Sequence, residues 1–312
     1  TTDDTTGVDA SDLVDLNALV DTSDYSTVTG LTEAYDTASV ATEVTGALGL
    51  LDADETVSIT GGSISAANAD TIANATSGAV TATITTGAVS STLTAIANVD
   101  TSDTITFTTD DTTGVDASDL VDLNAKVDTG DYTSITGLTE ASTTTAVATE
   151  VTNALTITGG TETVSITGAD ISAADADTIA NATSGVVTAT VTAAAASTLA
   201  AALTNTASTD ALTLTVNAEG ASAATDAGDL IALNADTDQA ISLAAGLTKI
   251  TATYAEATNI YSTNASDYTG EGDKAVILED ANLSAANVNT IANLTSGAVT
   301  ATITTGAVGT TL

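Results

Sequence analysis

Residues 65–84, SAANADTIANATSGAVTATI, decide the reading of this chain, because they recur almost unchanged as SAADADTIANATSGVVTATV at 172–191 and SAANVNTIANLTSGAVTATI at 284–303. Each copy reads as a short capped helix, a glycine turn and a strand. Ser65, Ser172 and Ser284 stand at the N-cap, where a side-chain oxygen accepts from a free amide of the first turn. Asn68, Asp175 and Asn287 follow three residues later, a weak relative of the capping box. Ala69, Ile72 and Ala73 share one helical face. Gly78, Gly185 and Gly297 fall just past the helix, where a left-handed residue ends one. From Val80 to Thr85 the residues alternate: Val80, Ala82 and Ile84 point one way, and Thr81, Thr83 and Thr85 the other. That period of two predicts a half-buried strand with a threonine face.

Outward from this module the chain is repetitive. TTDDTTGVDASDLVDLNA begins at Thr1 and again at Thr108, and a diverged DAGDLIALNA occupies residues 226–235. Three long units follow from these copies: 1–107, 108–216 and a diverged, truncated 217–312. Strand-like segments centre on Val28, Val57, Thr81, Ile105, Ile135, Ser165, Thr188 and Thr213, 23 to 30 residues apart. Helical stripes lie between them: Val40, Val44 and Leu48; Val147, Val151 and Leu155; Val89, Leu93 and Ile96. Strands alternating with helices imply a parallel sheet with right-handed crossovers. The expected fold is therefore α/β, a solenoid of strand–helix rungs of about 27 residues, with a parallel sheet on one face and short helices on the other. Tandem domains of about 107 residues are the alternative. One rung cannot bury enough apolar surface to fold alone, so neighbours must share a core.

Composition narrows the partners. The 312 residues carry 41 acidic side chains against three basic ones (Lys126, Lys249 and Lys274), a formal net charge of -38. Nucleic acid requires clustered Lys and Arg and is excluded as a partner; an anionic membrane surface is disfavoured for the same reason. Self-repulsion at this charge calls for salt screening or bound cations. The apolar runs fall short of a membrane span. Cysteine, histidine and arginine are absent, which removes disulfides, thiolate or imidazole catalysis and a guanidinium oxyanion clamp together. The acidic pairs that remain repeat with the array, whereas an active site is normally singular, so no enzyme is expected.

Two features carry the site expectations. The first is the acidic corner TTDDTTGVDASD, which supplies Asp3, Asp4, Asp9 and Asp12 and, one repeat on, Asp110, Asp111, Asp116 and Asp119. Calcium takes six to eight oxygens, and closely spaced Asp with loop carbonyls can provide them. Neither the EF-hand loop nor the glycine-rich nonapeptide repeat is present, and Asp also caps helices and makes turns. A shorter D-T-[SG]-D cluster joins Asp21 to Asp24, Asp100 to Asp103 and Asp128 to Asp131. The second feature is the T-x-T pattern at Thr81 and Thr83, Thr104 and Thr106, Thr188 and Thr190, and Thr213 and Thr215. Stacked strands about 4.8 Å apart would set these side chains out as a hydroxyl lattice, which resembles the threonine arrays of β-solenoid antifreeze proteins. Threonine is also simply a polar residue that suits a solvent-facing strand. The paired glycines at 61–62 and 159–160 read as turns, and Asn-x-Thr patterns at Asn74, Asn181 and Asn293, with Asn-x-Ser at Asn264, fit a glycosylation acceptor.

Taken together, the acidic Thr/Ala/Asp-rich units with their LNA, TIANATSG and ITGLTEA signatures resemble the giant repetitive surface proteins of marine cyanobacteria and related large bacterial adhesins. The resemblance implies secretion to the cell surface, calcium dependence and a structural or adhesive role. The expected function is an extracellular filament, sheath or adhesin stalk that self-associates into a fibre or surface layer and is stabilised by Ca2+. The alternative is a binding module whose threonine face meets ice or a cell-surface polysaccharide.

Overall fold

Strand–helix units succeed one another in the computed structural model, which describes residues 3–21, 23–35, 39–142, 146–220 and 223–304. Two compact units divide it: Thr1–Leu138 with Thr156–Gly159, and Thr139–Leu155 with Gly160–Leu312.

The first unit contains β1 (Val8–Asp9), α1 (Ala10–Leu19), β2 (Gly30–Ala34), α2 (Val40–Leu48), β3 (Thr56–Ile64), α3 (Ala66–Ala75), β4 (Val80–Ile84), α4 (Val89–Ala95), β5 (Thr104–Thr108), β6 (Val115–Asp116), α5 (Ala117–Lys126) and β7 (Thr129–Asp131). Six of its strands form a sheet in the order β1-β2-β3-β4-β5-β7. Each described pair is parallel, as strands joined by a helical crossover must be. Helices α1 to α5 pack each on the next.

The second unit runs through β8 (Gly137–Ser142, which straddles the division), α6 (Val147–Thr158), β9 (Thr163–Gly168), α7 (Ala173–Ala182), β10 (Val187–Thr190), β11 (Ala194–Ala195), α8 (Ala196–Ala202), β12 (Ala211–Thr213), β13 (Thr215–Asn217), β14 (Ala224–Asp226) and α9 (Ala227–Leu233). It continues with β15 (Ile241–Leu243), β16 (Lys249–Ala252), α10 (Tyr254–Thr258), a π turn and a 3-10 turn, β17 (Tyr268–Thr269), β18 (Ala275–Leu278), α11 (Ala285–Ala292) and β19 (Val299–Thr300). Its strands are ordered β12-β10-β9-β8, β11-β13-β15-β17 and β14-β16-β18-β19. The chain is thus an α/β protein with four all-parallel sheets, where the sequence suggested one. The reason is local. Rungs of the second unit bend within their extended stretch, so β15 and β16, or β17 and β18, fall into different sheets.

Register measures the repeat directly. Val8 faces Leu31, Val57 faces Val80 and Thr188 faces Ala211, each 23 residues on, while Ile241 faces Tyr268 at 27. These offsets of 23 to 27 residues lie within the spacing read from the sequence. Within β3 the register against β4 slips between Ser58 and Ser63. Gly61, at φ +83°, lies in that irregularity, a left-handed conformation open to glycine. The paired glycines at 61–62 therefore belong to a distorted strand, whereas Gly159 and Gly160, both with positive φ, do follow the end of α6.

The core is the apolar face of the module. In β4, Val80, Ala82 and Ile84 are buried, and Thr81 and Thr83 are exposed. The stripes Val40, Val44, Leu48 and Val147, Val151, Leu155 are buried as their spacing predicted. In α4 the face is turned slightly: Thr92 is buried beside Val89 and Ile96, and Leu93 is only half-buried. Aliphatic side chains fill most of this core; the single Phe, Phe107, meets Tyr132 at a tilted 53° with ring centres 6.5 Å apart.

Candidate functional site

The acidic corners come first. Asp9 and Asp116 are the N-caps of α1 and α5: the Oδ1 of each accepts from the backbone N–H three residues on (3.1 Å) and from the Ser hydroxyl two residues on (2.7 Å). Asp111 reaches the neighbouring rung, where its Oδ2 accepts from Val89 N–H, the first of α4, at 2.7 Å. Asp110 is exposed, and its own N–H donates to Gly87 O. Asp4, Asp9 and Asp12 line one shallow groove of about 370 Å³ together with Leu16; Asp3 is exposed outside that lining. Burial, with the negative charges of Asp116 and Asp122, holds the Asp119 carboxyl above its ordinary range. The corners therefore gather charge, and Asp9, Asp111 and Asp116 each commit an oxygen to a backbone amide. Among the described residues, no three acidic side chains converge where they could bind a metal ion.

The larger use of acidic side chains was not legible in the sequence. They bridge one rung to the next through the backbone. Asp103 Oδ1 accepts from Val80 N–H at the start of β4 (2.8 Å), and its Oδ2 from Asp100 N–H (3.0 Å). Asp210 repeats this with Val187 N–H (2.8 Å) and Ala207 N–H (2.9 Å). At helix starts, Glu33 accepts from Ser11 N–H (3.0 Å), Glu219 from Ser197 N–H (3.2 Å) and Asp280 from Tyr254 N–H (2.6 Å). A carboxylate there meets the orphan amides and the positive end of the helix dipole. Burial pushes the Glu33 carboxyl up although Ser11 N–H pulls the other way. Asp70 and Asp177 work in the reverse direction, accepting from Asn98 N–H and Asn205 N–H of the following rung at 2.6 Å. The signal that could have found these bridges is spacing: Asp103 and Asp210 recur at the interval of the long repeat.

The T-S-G turn gives the same result. Thr76, Thr183 and Thr295 donate to the carbonyls of Glu55, Glu162 and Lys274 at 2.7, 2.6 and 3.0 Å. Their hydroxyls accept in turn from Gly78, Gly185 and Gly297 N–H at 2.9, 2.9 and 3.0 Å. These glycines do not have the left-handed conformation expected of them; no positive φ occurs there, and the helices stop at an extended Thr or an αR Asn. Their reason is close approach: a Cβ on any of the three would strike the carbonyl of the preceding rung. The threonine of each Asn-x-Thr pattern is thus committed to the backbone.

The threonine face is real in part. In the first unit, Thr32, Ser58, Thr81 and Thr104 stand in register across four strands, and Ser63, Thr83, Thr106 and Thr129 form a second row. In the second unit Thr190 faces Thr213, Thr188 lies between Ser165 and Ala211, and Thr215 faces Ser242. Thr213 and Thr215 belong to different sheets, so no single lattice joins them.

No family model, curated protein or solved structure matches this chain. Its function must be argued from geometry. Among the described residues, no helix is long and apolar enough to cross a membrane.

Proposed function

We propose that this chain is an extracellular structural repeat protein, a section of a filament, sheath or adhesin stalk in which the strand–helix rungs continue as a solenoid. The observation that carries the reading is the fate of the polar side chains. Those at equivalent repeat positions, Thr76 with Thr183 and Thr295, and Asp103 with Asp210, bind the backbone of an adjacent rung. Polar chemistry spent on joining units serves mechanical continuity rather than a single reaction centre, and no catalytic role belongs to this reading. Calcium enters the proposal as a counter-ion. Like charges near Asp119 and Asp229 add to burial in holding both carboxyls above their ordinary range, and a divalent cation would relieve that repulsion. Location at a cell surface follows from the resemblance above and from an acidic surface suited to salt water.

Small-angle scattering of the dilute monomer in 0.5 M NaCl tests the architecture: a rod-like cross-section supports it, and a compact or two-bead profile sinks it. Thermal melting with calcium or with a chelator at constant ionic strength tests the cation; an unchanged midpoint removes calcium from the account.

The hydroxyl rows favour one second reading, a face that binds ice or polysaccharide. Two in-register rows of four in the first unit are its support. Retention on ice or on an immobilised glycan, lost on replacing Thr81 and Thr83 with Val, is its expected signature. Failure of both leaves the structural role alone.

A further inference from the structure

One open cavity of the first unit lies between the loop that follows α1 and the loop that joins α2 to β3. It measures about 400 Å³, and its lining includes Asp24, Tyr25, Ser26, Asp52, Asp54 and Glu55. That volume is in the range of ligand pockets. The lining is of an uncommon kind, with four carboxyl groups, several hydroxyls and no lysine. Asp24 Oδ1 is taken by Ser26, whose N–H and hydroxyl donate to it at 3.1 and 2.7 Å. Glu55 is different. It is 2% exposed; its Oε1 accepts from Asp52 N–H (3.3 Å), and its Oε2 is buried with no partner among the described residues. The Tyr25 hydroxyl is buried without a partner as well.

The long repeat supplies an internal control. Residues 50–55, LLDADE, correspond to residues 157–162, ITGGTE, so Glu162 is the counterpart of Glu55. Glu162 is equally buried, yet its own segment satisfies it: Thr161 N–H donates to Oε2 (2.9 Å) and the Thr161 hydroxyl to Oε1 (3.4 Å). In the first copy Asp54 stands in the place of Thr161, and a carboxylate has no proton to give. An unpartnered hydroxyl is common to Tyr25 and its counterpart Tyr132. The unsatisfied glutamate and the acidic residues that replace Gly159 and Thr161 are what set the first copy apart. A buried acceptor with no donor is costly to keep, so this cavity is arranged for a donor from outside the chain.

We infer that this cavity binds an organic ammonium ion, with Glu55 Oε2 as its buried acceptor and the exposed Asp52 and Asp54 as further carboxylates around it. The lining selects that class. It is rich in acceptors and poor in donors, so the ligand brings the protons, and hydrogen bonds from a cation to a carboxylate are stronger than neutral ones. Among the described residues no three acidic side chains converge as a metal ion requires, and about 400 Å³ is far more than one ion fills. An ammonium on a short alkyl chain instead meets the carboxylates one at a time, and Val28, Leu50 and Leu51 offer the chain an apolar wall. The site goes beyond the structural role proposed above and does not depend on it.

Calorimetric titration of 1,4-diaminobutane into the full chain tests the inference, in about 0.15 M NaCl so that loose attraction to the net charge of -38 is screened. The wild type is expected to bind one equivalent, and the amide resonance of Asp52 to move during the titration because its N–H bonds Glu55. Glu55→Gln keeps the shape, removes the charge and is expected to bind at least about tenfold more weakly, since a hydrogen bond to a charged group contributes a factor of ten or more. Asp54→Thr, at an exposed position, places the second copy's residue in the first and is expected to weaken binding in the same direction. Glu162→Gln removes an equal charge outside the cavity and is expected to leave the affinity unchanged. 1,4-Butanediol, of similar span and no charge, is expected to give no saturable heat. A diamine that shows no saturable binding overturns the inference and leaves the cavity to water. Equal weakening by Glu55→Gln and Glu162→Gln overturns it too, because overall charge alone is then at work. So does butanediol or calcium chloride that binds one equivalent, lost in Glu55→Gln, where the diamine does not bind.

Discussion

Gly78 shows how little room a residue has at the junction between rungs. The atom it lacks would occupy the space of the Glu55 carbonyl, and Gly185 and Gly297 repeat the situation against Glu162 and Lys274. Gly78→Ala is therefore expected to cost about 1–3 kcal/mol through forced displacement of the backbone, read as a lower denaturation midpoint. Gly272, with nothing near its missing Cβ and no positive φ, serves as the tolerant comparison. Asp103 is the polar counterpart. It is buried, and its two oxygens hold Val80 N–H and Asp100 N–H. Asp103→Ala strands those donors and is expected to lower stability by roughly 1–3 kcal/mol, with loss of hydrogen-exchange protection at Val80 as the local marker. A purely electrostatic role would predict the reverse in so acidic a chain, because removing a negative charge would then stabilise it.

At the scale of the element, helices α1 and α5 form a natural pair. Leu123→Ala in α5 opens a cavity in packed surroundings and is expected to cost about 2–5 kcal/mol. Leu16→Ala, the same change at the matching position in α1, removes a half-exposed side chain and is expected to cost under about 1 kcal/mol in the dilute monomer. Equal costs would mean that α4 does not shield α5 as the structure shows. Helix starts obey a related logic. Ser65, Ser172 and Ser284 cap from within their own segment at 3.1, 3.0 and 3.1 Å. α4 has no capping side chain of its own and borrows the Asp111 carboxylate. A short helix with few internal hydrogen bonds gains proportionally more from such an acceptor.

For the molecule as a whole, charge sets the response to solvent. Burial, and less strongly the Asp177 carboxylate, pushes Asp236 up to about 6. Glu33, Asp119 and Asp229 also lie above their ordinary range, with burial the first cause in each. A carboxyl with a raised folded pKa binds more protons in the native chain than in the unfolded one, so stability falls as pH rises through that value. The melting midpoint is therefore expected to climb as pH is lowered from 7 toward about 5, and Asp236→Asn is expected to flatten the climb. Below the ordinary carboxylate range the sign reverses. Asp100 and Asp131, each held low by a Ser or Thr hydroxyl and N–H two residues on, lose their contribution there. Added salt is expected to raise the midpoint at pH 7, where repulsion is greatest. A midpoint insensitive to both pH and salt would contradict this account of the charge.

Local and periodic features were legible in the sequence alone. The serine caps, the alternation of β4, the stripe from Val40 to Leu48 and the 107-residue recurrence each depend on neighbours a few residues away or on exact repetition, and the parallel α/β class follows from them. Only tertiary structure decided which residue twenty or more positions away each polar group would meet. It turned Gly78 from a helix stop into a point of close approach, set Asp103 and Asp111 on backbone amides, and divided the strands among four sheets. The physical reason is that a cap or a pleat is fixed by local backbone geometry, whereas a contact between rungs depends on register. Register is set by loop length and by irregularities such as that at Gly61, which shift the pairing without altering the pattern of apolar residues.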